Sequence, residues 1–280
     1  MFYLLKCFIQ MKILINNNDL NEALKEVSKI GFVPTMGGLH KGHVSLIKRS
    51  LRECKKTIVS IFVNPTQFNN KNDYKKYPRN IKRDLSILSK LRVNYVFLPT
   101  IKEIYKSKKK VKIKLKRNEK ILCAKYRKGH FEGVIDVMER LTKIISPHQI
   151  FMGEKDYQQM HLIKKYIGKK YKLKIIPCKT VRDKGKLALS SRNFLLNKDE
   201  LNMARKITKY IFSFKKKLNK NENVQKKLLT KRKELLNFFK IKIDYLELRN
   251  KNNLKISNKI KNSKIFIAYY INKIRLIDNI

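Results

Sequence analysis

The stretch VPTMGGLHKGHVSLI, residues 33–47, sets two histidines, His40 and His43, and three glycines, Gly37, Gly38 and Gly42, between two apolar runs. The run before it, KIGFVPT (29–35), is strand-like and closes around Pro34. The run after it, HVSLIKRSLRECKK (43–56), spaces its apolar residues as a helix does. A strand that turns into a helix offers unpaired backbone N–H groups and the positive end of the helix dipole, which suit phosphate. Glycines let a nucleotide approach the backbone closely, and two imidazoles supply donors to its oxygens. Taken alone, H-x-G-H fits a tight turn with histidine caps as well as it fits a nucleotide site.

The pattern repeats outward from this stretch. TIVSIFVN (57–64), NYVFLP (94–99), HQIFMG (148–153) and KLKIIPC (172–178) read as strands, and VKIKLK (111–116) alternates as a short one. Between them, 79–91, 133–145 and 157–171 read as helices. Short apolar runs alternating with helices predict an α/β fold on a parallel sheet, with ligands at the carboxyl ends of the strands. After about Val181 the order changes. Lys-rich helices span roughly 198–240, followed by the strands KIDYLELRN (242–250), SKIFIAYYI (263–271) and KIRLID (273–278). Helices followed by strands predict a separate, smaller α+β domain. The expected division is residues 1–182 and 183–280, with 1–10 an extension that the fold does not need.

Composition narrows the classes. The 280 residues hold 68 Lys+Arg against 21 Asp+Glu, a formal net charge of +47. That charge is spread along the chain, mostly as lysine amid abundant Asn and Ile, rather than gathered into a basic stripe with aromatics. It reads as codon bias on solvated faces, so no nucleic-acid partner is expected. Cys7, Cys54, Cys123 and Cys178 form no C-x-x-C pair and no zinc spacing, as befits reduced thiols in the cytoplasm. The opening MFYLLKCFIQMKIL is broken by Lys6 and too short to span a bilayer, so no membrane role is expected.

Three more stretches carry polar groups at predicted strand ends. VNPTQF (63–68) brings Gln67, whose amide both donates and accepts. FMGEKDYQQ (151–159) brings Gly153, Glu154, Lys155 and Asp156, with Gln159 one turn into the next helix. LALSSRN (187–193) brings Ser190, Ser191 and Arg192, two hydroxyls and a guanidinium suited to a triphosphate.

PTMGGLHKGH, VSIFVNPTQF, YPRNIKRD, GHFEGV, FMGEKDYQQ, LALSSRN and the terminal RLIDN together resemble the pantothenate synthetase (pantoate–β-alanine ligase) family, in the same order from about Met11 to Asn279. The resemblance implies a Rossmann-like N-terminal domain of the H-x-G-H nucleotidyltransferase type, a smaller C-terminal α+β domain that serves as a lid, and a homodimer. It implies that ATP, pantoate and β-alanine give pantothenate, AMP and pyrophosphate through a pantoyl adenylate. Carried over by motif, His43, His40 and Lys155 would be catalytic. Met36, Gly37, Gly38, Leu39, His40, Lys41, Gly42 and His43 would bind ATP, as would Gly153, Glu154, Lys155, Asp156, Val181, Leu189, Ser190, Ser191 and Arg192. Gln67 would hold pantoate and β-alanine, Gln159 pantoate, and Asp84 a magnesium ion. The chain departs from the family pattern at Gly185-Lys186, at Leu122-Cys123-Ala124, at Lys128 and at Asp136, all beside the most specific motifs. Two rivals are weighed on sequence: another H-x-G-H enzyme moving AMP onto a phosphate ester, against which the paired glutamines and LALSSRN argue, and a basic nucleic-acid-binding protein, against which the evenly spread charge argues.

Overall fold

Residues 11–106, 113–219 and 223–280 are described by the structure, a computed structural model. In chain order the first half runs β1 (Lys12–Leu14), α1 (Asn17–Leu24), β2 (Ile30–Thr35), α2 (Lys41–Glu53), β3 (Lys56–Ile61), α3 (Lys71–Lys75), α4 (Ile81–Lys90), β4 (Tyr95–Phe97) and α5 (Ile101–Ile104). It continues with α6 (Leu122–Tyr126), α7 (His130–Ile145), β5 (Gln149–Gly153), α8 (Tyr157–Ile163) and β6 (Lys174–Cys178). The six strands form one parallel sheet in the order β1-β4-β3-β2-β5-β6. From β2 the chain steps outward through β3 and β4, then returns to the other side of β2 for β5 and β6. The reversal falls between β2 and β5, and an open α/β sheet binds its ligands at such a crevice.

The strands are apolar on both faces because helices cover both. On one face Leu20 of α1, Ile135 and Leu141 of α7 and Leu162 of α8 close over Phe32, Phe97 and Ile150. On the other, Ile47 of α2 and Leu88 of α4 close over Val33, Val59, Val96 and Phe151. Phe32 and Val33 are neighbours in sequence and go to opposite cores, as the two-residue period of a strand requires. Phe32, Val33, Phe97 and Phe151 are fully buried, each contributing on the order of 1.5–3 kcal/mol.

The second half folds as α9 (Lys198–Lys216), α10 (Val224–Phe239) and the antiparallel sheet β7 (Lys242–Asn250), β8 (Ser263–Ile271), β9 (Ile274–Asn279). Asn197 starts α9 with a reciprocal cap, its side chain accepting from Glu200 N–H while Glu200 accepts from Asn197 N–H. Ala204, Ile207 and Ile211 of α9 and Leu228 and Leu235 of α10 pack on one face of this sheet as a core of their own. The opposite face sends Tyr245, Phe266 and Ala268 into the core of the parallel unit. Among the described residues no helix is long and apolar enough to cross a membrane.

Two expectations need correction. Residues 113–116 form no strand, and 111–112 lie outside the described residues. Leu115 is buried and Ile113 packs beside the same core, so the alternation over 113–116 reflects side-chain burial without a ladder. The edge of the sheet is taken by β1, which pairs with β4. The helix expected over 157–171 ends as α8 at Ile163 and continues as a π turn over Lys164–Gly168. The 1–10 extension also lies outside the described residues.

Candidate active site

The junction between β2 and α2 is a glycine turn fixed from two sides. Gly37 and Gly38 have φ of +80° and +62°, a region open to glycine and costly for other residues. Gly38 and Leu39 donate their backbone N–H groups to the two oxygens of Asp84, at 2.8 Å each. The Ser191 hydroxyl donates to the Gly38 carbonyl at 2.9 Å. The resemblance implied a magnesium ligand at Asp84; the structure puts its carboxylate on the glycine turn. Its carboxylate is 1% exposed, does not line the cavity, and spends both oxygens on the turn. Sequence does not show which backbone N–H groups a fold leaves without partners, and those groups set Asp84's role.

The turn delivers two imidazoles in a defined tautomer. His40 caps α2, its Nδ1 accepting from Gly42 N–H at 3.1 Å. His43 Nδ1 accepts from His40 N–H at 3.3 Å, and the two ring centroids lie 4.1 Å apart. A neutral imidazole that accepts at Nδ1 carries its proton on Nε2. Burial, then the charges of His43 and Lys155, pull the His40 pKa to about 3. Burial and Lys155 pull that of His43 to about 4. Both rings are therefore neutral at pH 7 and present an Nε2–H donor.

These groups open onto a cavity of about 240 Å³ at the β2–β5 reversal. Across it, Gln67 sits on the 3-10 turn Pro65–Gln67 after β3. Its Oε1 accepts from Asn64 Nδ2 at 3.2 Å and its Nε2 approaches Met36 Sδ at 3.0 Å. The Gln67 carbonyl accepts from His130 Nδ1 at 2.7 Å. His130 Nε2 lies 2.9 Å from Arg127 Nη1, which only donates, so His130 carries its proton on Nδ1. Burial foremost, then Arg127, holds His130 well below the usual imidazole pKa. Gly133 lets α7 pack onto this turn, since a Cβ there would stand 2.5 Å from the Thr66 carbonyl oxygen. Phe62, Val134, Val137, Met138 and Leu141 give this side of the cavity an apolar wall.

The remaining groups come from β5 and from the chain beyond β6. Lys155 stands on the turn Glu154–Asp156, its Nζ 3.2 Å from Asp156 Oδ1. Gln158 and Gln159 separate cleanly. Gln158 turns inward, donating to the carbonyls of Glu119 and Ile121, while Gln159 lines the cavity. Val181, Leu189, Ser190, Ser191 and Arg192 line it too, and Arg192 Nη2 meets both oxygens of Asp73 at 2.8 and 2.6 Å.

Of the residues expected from sequence, Met36, His40, Gly42, His43, Gln67, Gly153, Lys155, Asp156 and Gln159 face one cavity with the 181–192 group. Gly37, Gly38, Leu39, Lys41, Glu154 and Asp84 do not line it. Leu39 is fully buried in the core, and Lys41 points to solvent. Asn64, Tyr77, Arg127 and His130 line the cavity and were not anticipated. A signal for the last two was present in YRKGHFEGV, where a cation and an imidazole open an apolar helix.

Comparison with known proteins follows the same lines. The family model described as pantoate-beta-alanine ligase matches residues 12–280. A pantothenate synthetase of Pseudothermotoga lettingae is 38% identical over 275 residues, covering 96% of this chain and 98% of the relative. One of Flavobacterium psychrophilum is 40% identical over 268 residues, covering 93% and 94%. The crystal structure of pantothenate synthetase from Thermus thermophilus superposes with a TM-score of 0.88 at 29% identity, covering 96% of this chain and 99% of that one. That of pantoate-beta-alanine ligase from Francisella tularensis, complexed with beta-gamma ATP and beta-alanine, superposes with a TM-score of 0.82 at 38% identity, covering 96% and 97%. By its sequence from residue 12 to its end and by its fold, this chain belongs to the pantoate–β-alanine ligase family.

Proposed function

We propose that this chain joins pantoate to β-alanine with ATP, through a pantoyl adenylate, and releases pantothenate, AMP and pyrophosphate. One observation carries the reading: a single cavity at the sheet's reversal point sets two neutral imidazole donors and Lys155 opposite two glutamines on an apolar wall. The donor side suits a polyphosphate, and the amide-and-apolar side suits a branched hydroxy acid.

In the first step the pantoate carboxylate attacks the α-phosphorus of ATP, and the bond from that phosphorus to the bridging oxygen of pyrophosphate breaks. Two anions must meet, so the charge growing on the phosphoryl oxygens needs fixed donors. His40 and His43 supply Nε2–H groups without adding charge, and Lys155 adds one. Ser190, Ser191 and Arg192 hold the outer phosphates. Gln67 and Gln159 hold the pantoate hydroxyl and carboxyl groups, while Phe62, Val134 and Met138 take its methyl groups. In the second step the amine of β-alanine attacks the acyl carbon, the carbon–oxygen bond to AMP breaks, and the new ammonium gives up a proton. Holding the amine close to that carbon supplies much of the rate.

The donor set speaks against a magnesium ion held by the protein itself. Among the described residues no group of three or more His, Cys, Asp or Glu could hold a metal, and Asp156 is the one carboxylate lining the cavity. Magnesium would fit instead as an ion carried in on the phosphates of ATP, where it would neutralise the departing pyrophosphate, with Asp156 the carboxylate placed to meet it. We assign residues 1–182, with 1–10 an extension, to the nucleotide- and pantoate-binding domain and 183–280 to a lid domain that also brings Ser190, Ser191 and Arg192 to the phosphates and keeps water from the adenylate. A homodimer in the cytoplasm completes the reading, in line with the free thiols Cys54, Cys123 and Cys178 and the half-exposed Ile13 and Ile15 at the β1 edge.

The test is product identification. The protein is incubated with ATP and pantoate, with and without β-alanine. AMP, pyrophosphate and pantothenate in equal amounts, dependent on both acids, is the expected result, and ADP as the nucleotide product overturns the reading.

A further inference from the structure

Asp73 is the one acidic residue between Glu53 and Asp84, in a chain where cations far outnumber acids. Lys71, Lys75 and Lys76 are its close neighbours in sequence, yet its carboxylate goes to Arg192, 119 positions on. It stands on α3, a helix of barely more than one turn started by Asn70, whose Oδ1 accepts from Asn72 N–H at 2.7 Å. Phe68 and Tyr77 flank α3 and line the main cavity. Phe68 meets Tyr74 and Tyr77 edge-on, at 5.4 and 5.7 Å between ring centres, and Arg79 donates to the Tyr74 carbonyl at 2.9 Å. The segment 68–79 is thus held together by its own side chains. Among the described residues, no residue of α3 makes another side-chain hydrogen bond outside that segment.

The pair is lopsided. Both oxygens of Asp73 accept from the same nitrogen, Arg192 Nη2, at 2.8 and 2.6 Å. A guanidinium gripped at one nitrogen keeps donors for an oxyanion, namely Nε–H and the two N–H groups of Nη1. The side chains of Asp73 and Arg192 are 36% and 22% exposed, and a pair this open adds little to stability. Its consequence lies in where it aims Arg192. A loose arginine gives up much rotamer freedom when it grips a ligand, and one already held gives up less. We propose that Asp73 is a positioning residue, which holds Arg192 by Nη2 so that its other donors meet the outer phosphates of ATP and the pyrophosphate that leaves. The inference rests on the reaction proposed above and on the place of Arg192 in it. A carboxylate that merely competed with the phosphates for Arg192 would have the opposite effect on ATP affinity.

The experiment uses the full-length protein and Asp73→Asn, which keeps the shape and removes the charge. Calorimetry reads the Kd for ATP and for AMP, which lacks the outer phosphates. Pantoate-dependent exchange of pyrophosphate into ATP reads the KM for pantoate. The expected result is a Kd for ATP raised about tenfold, with the Kd for AMP and the KM for pantoate within about twofold of the parent and the urea midpoint unmoved. Asp73→Glu should recover part of the ATP affinity. On an Arg192→Gln background, Asp73→Asn should cost ATP affinity nothing further, because Asp73 acts through the guanidinium. Tighter ATP binding in Asp73→Asn overturns the inference and makes Asp73 a competitor of the phosphates. Equal losses for ATP and AMP, or the same loss on the Arg192→Gln background, overturn it too and assign Asp73 to the fold. Should Asp73→Asn not fold, Asp73→Glu decides: a Kd for ATP raised several-fold with that for AMP unchanged supports the inference, and an unchanged Kd for ATP overturns it. A parent protein with no exchange refutes the proposed reaction, while the comparison of ATP with AMP still decides the role of Asp73.

Discussion

Asn279, next to last in the chain, fixes the backbone of Lys155. Its Nδ2 donates to the carbonyl oxygens of Glu154 at 2.8 Å and Lys155 at 2.9 Å. Asn279 is 2% exposed, and its strand ends against the turn that carries the cation of the site. Arg182 reinforces the joint, pairing with Asp278 and donating to the Asn279 carbonyl at 3.1 Å. The terminal RLIDN is thus the strap by which the small unit holds the turn that carries Lys155.

Asn279→Ala removes both donors and leaves two carbonyls short of partners. The expected cost is about 1–3 kcal/mol of stability. With Lys155 freed to shift, kcat/KM for ATP should fall by roughly 10²-fold. Steady-state kinetics and denaturant unfolding read the two effects, and parental kinetics would show that Lys155 needs no strap.

Asp84→Asn tests the clamp on the glycine turn. An amide keeps one acceptor and sets its NH₂ against a backbone N–H, so about 2–3 kcal/mol of stability should go. The magnesium concentration giving half-maximal activity should stay where it was. A shifted magnesium requirement without loss of stability would put Asp84 on the metal.

How much was legible in the sequence follows from which forces are local. The parallel strands read out because helices cover both their faces, which leaves continuous apolar runs such as IGFVPT and KTIVSI. The three-residue β1 carries no such run, and its place at the edge depends on β4 more than eighty residues away. VKIKLK misled because Leu115 is drawn into the core without pairing. The imidazoles, Lys155 and both glutamines were visible as motifs. Gln159 in particular was separated from Gln158, whose amide is consumed within the fold. Arg127 and His130 escaped because their meaning lies in the Gln67 carbonyl, some sixty positions distant.

Acid should destabilise the fold before it titrates the carboxylates. His40, His43 and His130 have pKa values below 6.5 in the folded protein, burial being the main cause for each. The unfolded chain then binds protons that the native state refuses, so stability is full above about pH 6.5 and falls as the pH drops. For His43 the loss runs from 6.5 to about 4, and for His40 to about 3. Urea unfolding at several pH values between about 7.5 and 4.5 should show the decline, and His43→Gln should make it shallower. An identical slope in that variant would mean that His43 titrates normally.

Lys186 occupies a position with φ of +70°, a region that favours glycine. Its ammonium lies 5.4 Å from the centre of the Phe212 ring, a weak contact. Left-handed backbone costs an L-residue of order 1–2 kcal/mol, more than the entropy that glycine adds to the unfolded chain. Lys186→Gly should therefore stabilise the fold by about 1 kcal/mol, readable as a higher urea midpoint at unchanged slope. A lower midpoint would mean that the lysine contact outweighs the strain.

The central claim is that the pantoate carboxylate itself attacks the α-phosphorus of ATP. Pantoate labelled with heavy oxygen in its carboxyl group tests this directly when AMP is recovered after ligation and weighed by mass spectrometry. The account predicts AMP carrying one labelled oxygen for each pantothenate formed; unlabelled AMP, with the label kept in pantothenate or lost to inorganic phosphate, would contradict it.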